Sequence, residues 1–244
     1  MAHFYLSDQV TGASAGDRLV LAGDEGRHAA LVSRMRVGER TTVGDGRGRV
    51  ATAEAVAVAK DSVELDVVEL VEVPEPRPAI TLVQALAKGG RDELAIQAAT
   101  ELGVAAVAPW QAARSVTRWE GRKADSGVAR WAGIVREASK QAMRPWSAAV
   151  LPLHSTADVV ALAGRTCTIV LDPDSPVRLA DAVRPVLEAL VLVVGPEGGI
   201  APEELERLTA AGATTARMGP TVLRTSTAGP AALAALAIAL DLWP

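Results

Sequence analysis

The sequence predicts a small β-rich N-terminal unit followed by an α/β domain built on a parallel sheet. Three observations lead to this prediction. Residues 1–72 hold short segments of alternating apolar and polar residues, apolar strands alternate with helical segments beyond residue 78, and a dense proline cluster occupies residues 73–78. Because closely spaced prolines interrupt helices and central strands, we place the boundary there, between domains 1–72 and 73–244.

In the first domain, a short helix is predicted over residues 24–35, where apolar residues recur at helical spacing. A Gly/Asp-rich turn at residues 44–48 joins two strand-like segments, as in a hairpin. The strands are predicted at residues 3–6, 41–43, 49–56 and 62–68. Small strand-rich barrels are common nucleic-acid modules, although a fold alone does not establish that use.

In the second domain, short β-branched runs separated by helical segments predict parallel strands with helices on both faces. The strands are predicted at residues 79–86, 104–108, 168–171 and 191–194. The helices are predicted at residues 91–102 and 130–143, from Ala201 onward, and at residues 228–240. The last helix is apolar on nearly every face, which favours burial in a core or across a two-fold interface.

Two glycine-bearing turns, at residues 195–200 and 219–228, indicate a ligand site. In open α/β sheets ligands bind at the carboxyl ends of strands, and glycine lets the backbone approach a ligand closely. Glu197 lies inside the first turn, and neither the dinucleotide fingerprint nor the P-loop pattern is present, so a ligand without phosphate is expected. Taken alone, the first turn equally fits a tight turn with a solvated carboxylate.

Charge is distributed unevenly along the chain. The formal net charge is -4, but residues 27–49 hold six arginines against two acids, and residues 114–144 hold eight basic residues against three acids. Local basic patches of this kind favour an RNA or DNA partner, whereas each patch alone also fits a solvated, salt-bridged face. The single cysteine, Cys167, and the lack of a long apolar segment predict a cytoplasmic protein without membrane, disulfide or metal.

With these turns in place, the chain resembles the bacterial 16S rRNA uracil-N3 methyltransferases of the RsmE type, members of the SPOUT class. The resemblance is strongest over residues 192–204 and 219–228. It extends to residues 28–39, 84–89, 97–104 and 130–141 and to the Arg-Ser-Val of residues 114–116. It implies a PUA-like N-terminal β-barrel, a C-terminal α/β domain with a trefoil knot, and a homodimer. It also implies S-adenosylmethionine as the cofactor and 16S rRNA of the small ribosomal subunit as the partner.

The resemblance assigns the candidate site residues. Arg224 and Arg114 are expected to orient the base or stabilise charge on it, since arginine does not act as a base; a base would be Glu101, Glu137 or solvent. Phosphate contacts are expected from Arg34, Arg36, Lys88, Arg136, Lys140 and Arg144. The expected cofactor cradle is Leu171, Gly195, Glu197, Gly198, Gly199, Ile200, Met218, Gly219, Leu223, Arg224, Thr225 and Thr227.

The chain departs from the pattern of this family at several positions. Ser226 stands where the family usually has Glu, Ala87 where it has proline, and Ala113 where it has an acid. The cofactor turns match the family pattern, so the resemblance predicts the methyl donor and the fold. The altered positions lie toward the presumed RNA side and leave the rRNA nucleotide open. Two alternatives stay open: an RNA-binding ribosome-assembly factor without catalysis, and a knotted methyltransferase acting on another RNA position.

Overall fold

The computed structural model describes residues 3–183 and 188–243 and divides the chain into two compact units. The first unit comprises Met1–Glu75 with Ser139–Ser147, and the second comprises Pro76–Ala138 with Ala148–Pro244. The change between them falls inside the proline cluster. Ser139–Ser147 was expected with the second domain and lies with the first. Met1 and Pro244, the outer ends of the predicted domains, are outside the described residues.

The first unit is built on one five-stranded sheet. Its strands are β1 (Phe4–Leu6), β2 (Arg18–Leu21), β3 (Arg40–Gly44), β4 (Arg49–Val58) and β5 (Val63–Glu72). They are ordered β1-β3-β4-β5-β2, with β1 parallel to β3 and the other pairs antiparallel. Tyr5, Val43 and Leu65 are fully buried at the centre of its core. A 3₁₀ turn at Asp8–Gly12 and β2 were not predicted from the sequence.

The predicted helix over residues 24–35 is interrupted. Helix α1 covers only Gly23–Arg27, and a single π-helical turn follows at His28–Val32. The wider turn closes through the Ser33 amide, which donates to the His28 carbonyl at 2.8 Å. Arg34 then adopts a positive φ of 53° and ends the segment. The helical spacing of the apolar residues is present, but it does not distinguish an α-turn from a π-turn.

The Gly/Asp-rich turn joins β3 to β4 and also packs against Ser139–Ser147. The Gly48 amide donates to the Pro145 carbonyl at 3.0 Å, and the Trp146 indole N–H donates to the Val73 carbonyl at 2.9 Å. A Cβ on Gly48 would lie 2.7 Å from the Trp146 ring. Position 48 is therefore glycine because an indole occupies the space of its side chain.

Lys140 is not available as the phosphate contact expected from the sequence. Its ammonium group lies 3.1 Å from a carboxylate oxygen of Glu25, and the two side chains are only 10% and 9% exposed. The physical reason is the position of Lys140 in the segment that packs on the first unit, where a buried cation requires a counterion. Glu25 supplies that counterion.

Replacing Lys140 with methionine is expected to destabilise the fold by about 2 kcal/mol, because the buried Glu25 carboxylate then loses the ammonium group that lies 3.1 Å away. Chemical denaturation of the wild type and the variant measures this difference. The Lys140→Met, Glu25→Leu double variant is the control, and it is expected to regain most of the loss. A single variant as stable as the wild type would show that the pair contributes nothing.

The second unit is built on a six-stranded, fully parallel sheet, as the sequence predicts. Its strands are β6 (Ala79–Ala85), β7 (Ala106–Trp110), β8 (Ala149–Val150), β9 (Cys167–Leu171), β10 (Ala189–Val194) and β11 (Thr214–Ala216). The order is β11-β9-β10-β6-β7-β8. The helices are α2 (Arg91–Glu101), α3 (Arg122–Gln141), α4 (Thr156–Ala163), α5 (Leu179–Ala182), α6 (Pro202–Ala210) and α7 (Thr225–Ala239).

Both faces of this sheet are covered. Neighbouring residues of one strand point to opposite sides, so Leu82 packs with residues of α2, α3 and α7, while Val83 packs with residues of α4 and α6. Trp131 and Trp110 are fully buried, one in each layer. In the described part of the chain, no helix is both long and apolar enough to cross a membrane.

Several elements of the second unit are missed or displaced in the sequence prediction. The strand expected over residues 104–108 begins at Ala106, because the Val104 amide still bonds to the Ala99 carbonyl at the end of α2. Helices α4 and α5 and strands β8 and β11 were not predicted. For α4 a signal existed: Ser155 and Asp158 form a capping box, a recognisable mark of a helix start.

Candidate functional site

The loops that follow β9, β10 and β11 meet at the carboxyl edge of the sheet and line a cavity of about 570 Å³. The strand order places β9 between β10 and β11, which brings the two glycine turns to the same edge. The sequence-predicted cradle residues that line the cavity are Leu171, Gly195, Glu197, Gly198, Gly199, Ile200, Met218, Gly219, Leu223, Arg224 and Thr225. Thr227 does not line it; this residue is exposed in the first turn of α7.

Thr225 has a role in the protein itself rather than a free hydroxyl. Its hydroxyl donates to the Gly195 carbonyl at 2.8 Å and accepts from the Gln84 amide group at 2.8 Å. These bonds tie the start of α7 to the end of β10 and to β6. The hydroxyl proton and one of the two oxygen lone pairs are therefore used within the protein, so the expected bond to a ligand stays a prediction for the remaining lone pair.

The first turn is compact and leaves no room for a side chain at its start. A Cβ on Gly195 would lie 2.7 Å from Cγ1 of Ile200 and 3.3 Å from its backbone nitrogen. The Gly199 amide closes the turn by donating to the Pro196 carbonyl at 2.9 Å. Helix α6 then begins at Pro202, where the missing amide proton costs nothing.

Glu197 is held by the protein at the rim of the cavity. One of its carboxylate oxygens accepts from the Lys88 amide at 3.0 Å and from the Arg91 guanidinium at 3.2 Å. Its charge is thus balanced by Arg91, which revises the sequence argument that this acid is left to repel phosphate or attract a cation. Two acids missed by the sequence reasoning, Asp172 and Asp174, also line the cavity. Their signal was their position directly after a predicted strand.

Arg114 reaches the first turn from the loop after β7. Its guanidinium donates to the Gly198 carbonyl at 3.1 Å. The loop is held by Glu204, which is 6% exposed and accepts from the Ala113 amide at 2.9 Å and the Thr156 hydroxyl at 2.5 Å. The acid at position 204 therefore fixes the loop that carries Arg114.

The remaining catalytic candidates differ in position. Arg224 is exposed, lines the cavity and stands at the N-cap of α7. Glu101 is the last residue of α2, bonds to Gln97 and does not line the cavity. Because α2 begins at the cavity edge with Arg91, its final residue lies at the far end of the helix, and the structure does not support Glu101 as a base for this cavity.

The other basic candidates are distributed over both units. In the first unit, Arg34 and Arg36 are exposed, and burial lowers the pKa of the half-buried Arg144 to about 10, so that it remains a cation at neutral pH. In the second unit, Lys88 and Arg136 are exposed. Among the residues that the structure describes, no cluster of His, Cys, Asp and Glu could hold a metal ion.

Two family models match the chain. An RNA methyltransferase domain matches residues 74–237, and an RNA methyltransferase PUA domain matches residues 21–68. The first covers the parallel sheet with its cavity, and the second covers most of the five-stranded sheet. Fold and site together therefore define an RNA methyltransferase that carries a PUA domain.

Curated relatives and solved structures narrow this class. The chain is 44% identical to ribosomal RNA small subunit methyltransferase E of Mycobacterium bovis, over 96% of this chain and 89% of that protein. It is 32% identical to the protein of that name in Bacillus subtilis, over 91% and 90%. The chain belongs to the ribosomal RNA small subunit methyltransferase E family. The Neisseria gonorrhoeae member, crystallised with S-adenosyl methionine, superposes with a TM-score of 0.87 at 28% identity, over 100% of this chain and 98% of that one.

Proposed function

We propose that this chain transfers a methyl group from S-adenosylmethionine to N3 of a uridine in 16S rRNA of the small ribosomal subunit. The observation that carries the proposal is the cavity formed by the two glycine turns at the carboxyl edge of the parallel sheet. Its volume is that of a small-ligand site, and three glycines of the first turn line it. Family membership supports an rRNA methyltransferase with this cofactor.

The residues present fit S-adenosylmethionine. The turn at residues 195–200 and the loop from Met218 to Leu223 offer backbone groups to an adenosine without phosphate, and Asp172 and Asp174 add negative charge beside it. When bound, the cofactor supplies an electrophilic methyl group on a sulfonium cation. We assign the cradle to Leu171, Gly195, Glu197, Gly198, Gly199, Ile200, Met218, Gly219 and Leu223.

The chemistry at uracil N3 requires loss of the imide proton and alignment of the nitrogen with the methyl group. As the proton leaves, negative charge spreads onto the carbonyl oxygens of the base. We assign Arg224 to stabilise that charge and to orient the ring, because a guanidinium is a permanent cation with several donors. Arg114 supports the first turn through Gly198 and faces the same cavity. We assign the proton to solvent, since neither Glu101 nor Glu137 lines the cavity.

We also propose a separate role for each domain. Residues 1–72 form the PUA-like RNA-binding domain, and residues 73–244 form the methyltransferase domain, with Ser139–Ser147 packed on the former. Phosphate contacts are assigned to Arg34, Arg36, Lys88, Arg136 and Arg144. A trefoil knot is proposed for the C-terminal segment; in support, Gly229 of α7 packs against Leu82 and Val194 in the middle of the sheet. A cytoplasmic location follows from the proposed substrate.

Reversing the charge of Arg34 and Arg36 to glutamate is expected to weaken rRNA binding about tenfold and to reduce its dependence on salt, because fewer counterions are released. Both side chains are exposed, so folding should be retained. Filter binding over a salt series measures the slope, and calorimetry measures cofactor affinity, which should not change. Equal loss of rRNA and cofactor binding would contradict the assignment of these residues to RNA.

A homodimer through α7 is part of the proposal. The solvent-facing side of this helix carries Ala235, Ile238 and Ala239 within one turn, and Ile238 is 68% exposed. An apolar helix face of this kind is typical of a buried interface. Ile238→Glu is expected to convert a dimer to a monomer in sedimentation equilibrium, while Val58→Glu, on the first unit, should leave the mass unchanged. A wild-type monomer would contradict the dimer.

Calorimetric titration with S-adenosylmethionine tests whether the protein binds the cofactor, which the proposed activity requires. The expected result is one saturable site per chain. If the protein binds rRNA but no cofactor, with or without RNA, the activity is wrong and a non-catalytic RNA-binding role replaces it. S-adenosylhomocysteine, the reaction product, is expected to compete for the site.

A further inference from the structure

We infer that Arg91 is a positioning residue for the methyl-donor turn and acts through Glu197. The inference rests on the proposed function, since the turn at residues 195–200 is the cradle assigned above. Arg91 is the first residue of α2 and so belongs to a different part of the chain from the turn. It was not among the site residues predicted from the sequence. It lines the same cavity as Glu197 and Arg114.

The turn needs support from outside because of its composition. It contains Gly195, Gly198 and Gly199 within five residues, and glycine loses more backbone freedom on becoming ordered than any other residue. If the turn is already ordered before the ligand arrives, binding does not require this loss of backbone entropy. Contacts that fix the turn therefore raise cofactor affinity even where they do not touch the cofactor.

Glu197 provides such a contact on the side of α2. Its carboxylate oxygen joins the Lys88 amide at 3.0 Å and the Arg91 guanidinium at 3.2 Å, so the middle of the turn is bonded to both backbone and side chain of the neighbouring loop. The Glu197 and Arg91 side chains are 18% and 36% exposed, which limits screening by water.

The opposite side of the turn is held differently. There Arg114 donates to the Gly198 carbonyl and packs its Cβ 3.4 Å from where a Gly198 Cβ would be. The turn is thus held between two arginines, one bonded to a side chain and the other to the backbone. Of the two, Arg91 is the one whose contribution can be separated by changing its partner.

A double-mutant cycle with Arg91→Gln and Glu197→Gln tests the inference by calorimetry. Arg91→Gln is expected to weaken S-adenosylmethionine binding roughly fivefold, with kcat at saturating cofactor and the KM for rRNA little changed. Arg91→Lys should restore part of the affinity, because it keeps the charge. The double variant should bind no more weakly than the weaker single variant, since the two side chains act as one unit.

The control variant is Arg130→Gln. Arg130 forms an ion pair at 2.7 Å with Glu93, which lies on α2 two residues from Arg91, but neither Arg130 nor Glu93 lines the cavity. Cofactor affinity should be unchanged in this variant. An equal loss there would mean that the effect reports the stability of α2, and the inference would be wrong.

Three other outcomes also overturn it: unchanged cofactor affinity in Arg91→Gln, additive losses in the double variant, or weaker rRNA binding with a smaller salt slope. The last would make Arg91 a direct RNA contact. The wild-type protein separates these failures from failure of the proposed function. If it binds cofactor and methylates rRNA, only the role of Arg91 is in question.

Discussion

Replacing Arg224 with methionine is expected to lower the rate of methyl transfer between a hundredfold and a thousandfold, with cofactor affinity retained. The reason is that Arg224 is assigned to the charge that develops on the uracil oxygens, and removing one such donor from a reaction centre has an effect of this size. Arg224 is exposed, and methionine keeps its unbranched stem, so stability should change by no more than about 0.5 kcal/mol. Single-turnover transfer from labelled S-adenosylmethionine to 16S rRNA measures the rate.

Arg224→Lys is the matched control for charge without the planar fork. It should recover only part of the rate, because a point charge cannot donate to two oxygens in a fixed geometry. A normal rate in Arg224→Met would remove this residue from the chemistry. Parallel losses of cofactor affinity and thermal stability would show instead that Arg224 locks the loop before α7.

Replacing Gly195 with valine is expected to lower kcat/KM for the cofactor roughly a hundredfold, the loss that a displacement of about 1 Å can cause. The first atom of a side chain here would already lie 2.7 Å from Ile200, and valine adds two methyl groups beyond it. The turn must therefore move away from the cavity or expel Ile200. Calorimetry on the purified variant measures the loss of binding directly.

Gly133→Ala on α3 is the control for a glycine that has no such constraint. Apart from the backbone of its own helix, no atom of the described residues lies within 4 Å of where a Cβ on Gly133 would be. Alanine favours a helix by up to about 1 kcal/mol over glycine. Cofactor affinity should be unchanged and stability slightly higher. If Gly195→Val binds the cofactor normally, the turn at residues 195–200 is not the cradle.

The parallel sheet and the first turn were predictable because their signals are local. β10 is a buried β-branched run that ends at a glycine, and α6 begins at a proline followed by acids. Each of these features depends on residues a few positions apart. The cradle positions were assigned through the family resemblance, and eleven of the twelve line one cavity.

The errors arise where distant residues decide the outcome. Lys140 was expected to contact RNA. Its ion pair with Glu25, at 3.1 Å, could not be predicted because the two residues are far apart in the chain. The sequence does not show that the Thr225 hydroxyl bonds Gln84 and the Gly195 carbonyl, because these partners come from distant parts of the chain. The pairing of Glu197 with Arg91 spans 106 residues and was invisible for the same reason.

The five-stranded unit shows the same limit from another side. Several of its strands were predicted, but β2 at Arg18–Leu21 was missed, since three of its four residues are apolar and do not alternate with polar ones. The close packing of Trp146 on Gly48 could not be predicted, because the sequence of this turn also fits an ordinary hairpin. Close approaches between residues that are distant in the chain carry too little sequence signal to be found before the fold is known.

Nucleoside mass spectrometry of 16S rRNA detects the proposed modification itself. The rRNA is taken from a bacterial strain whose corresponding gene is deleted, before and after incubation of its small subunits with this protein and S-adenosylmethionine. We expect 3-methyluridine to be absent before the incubation, to appear after it, and to fail to appear with Arg224→Met. Unchanged 3-methyluridine in the deletion strain, or a different methylated nucleoside after incubation, would contradict it.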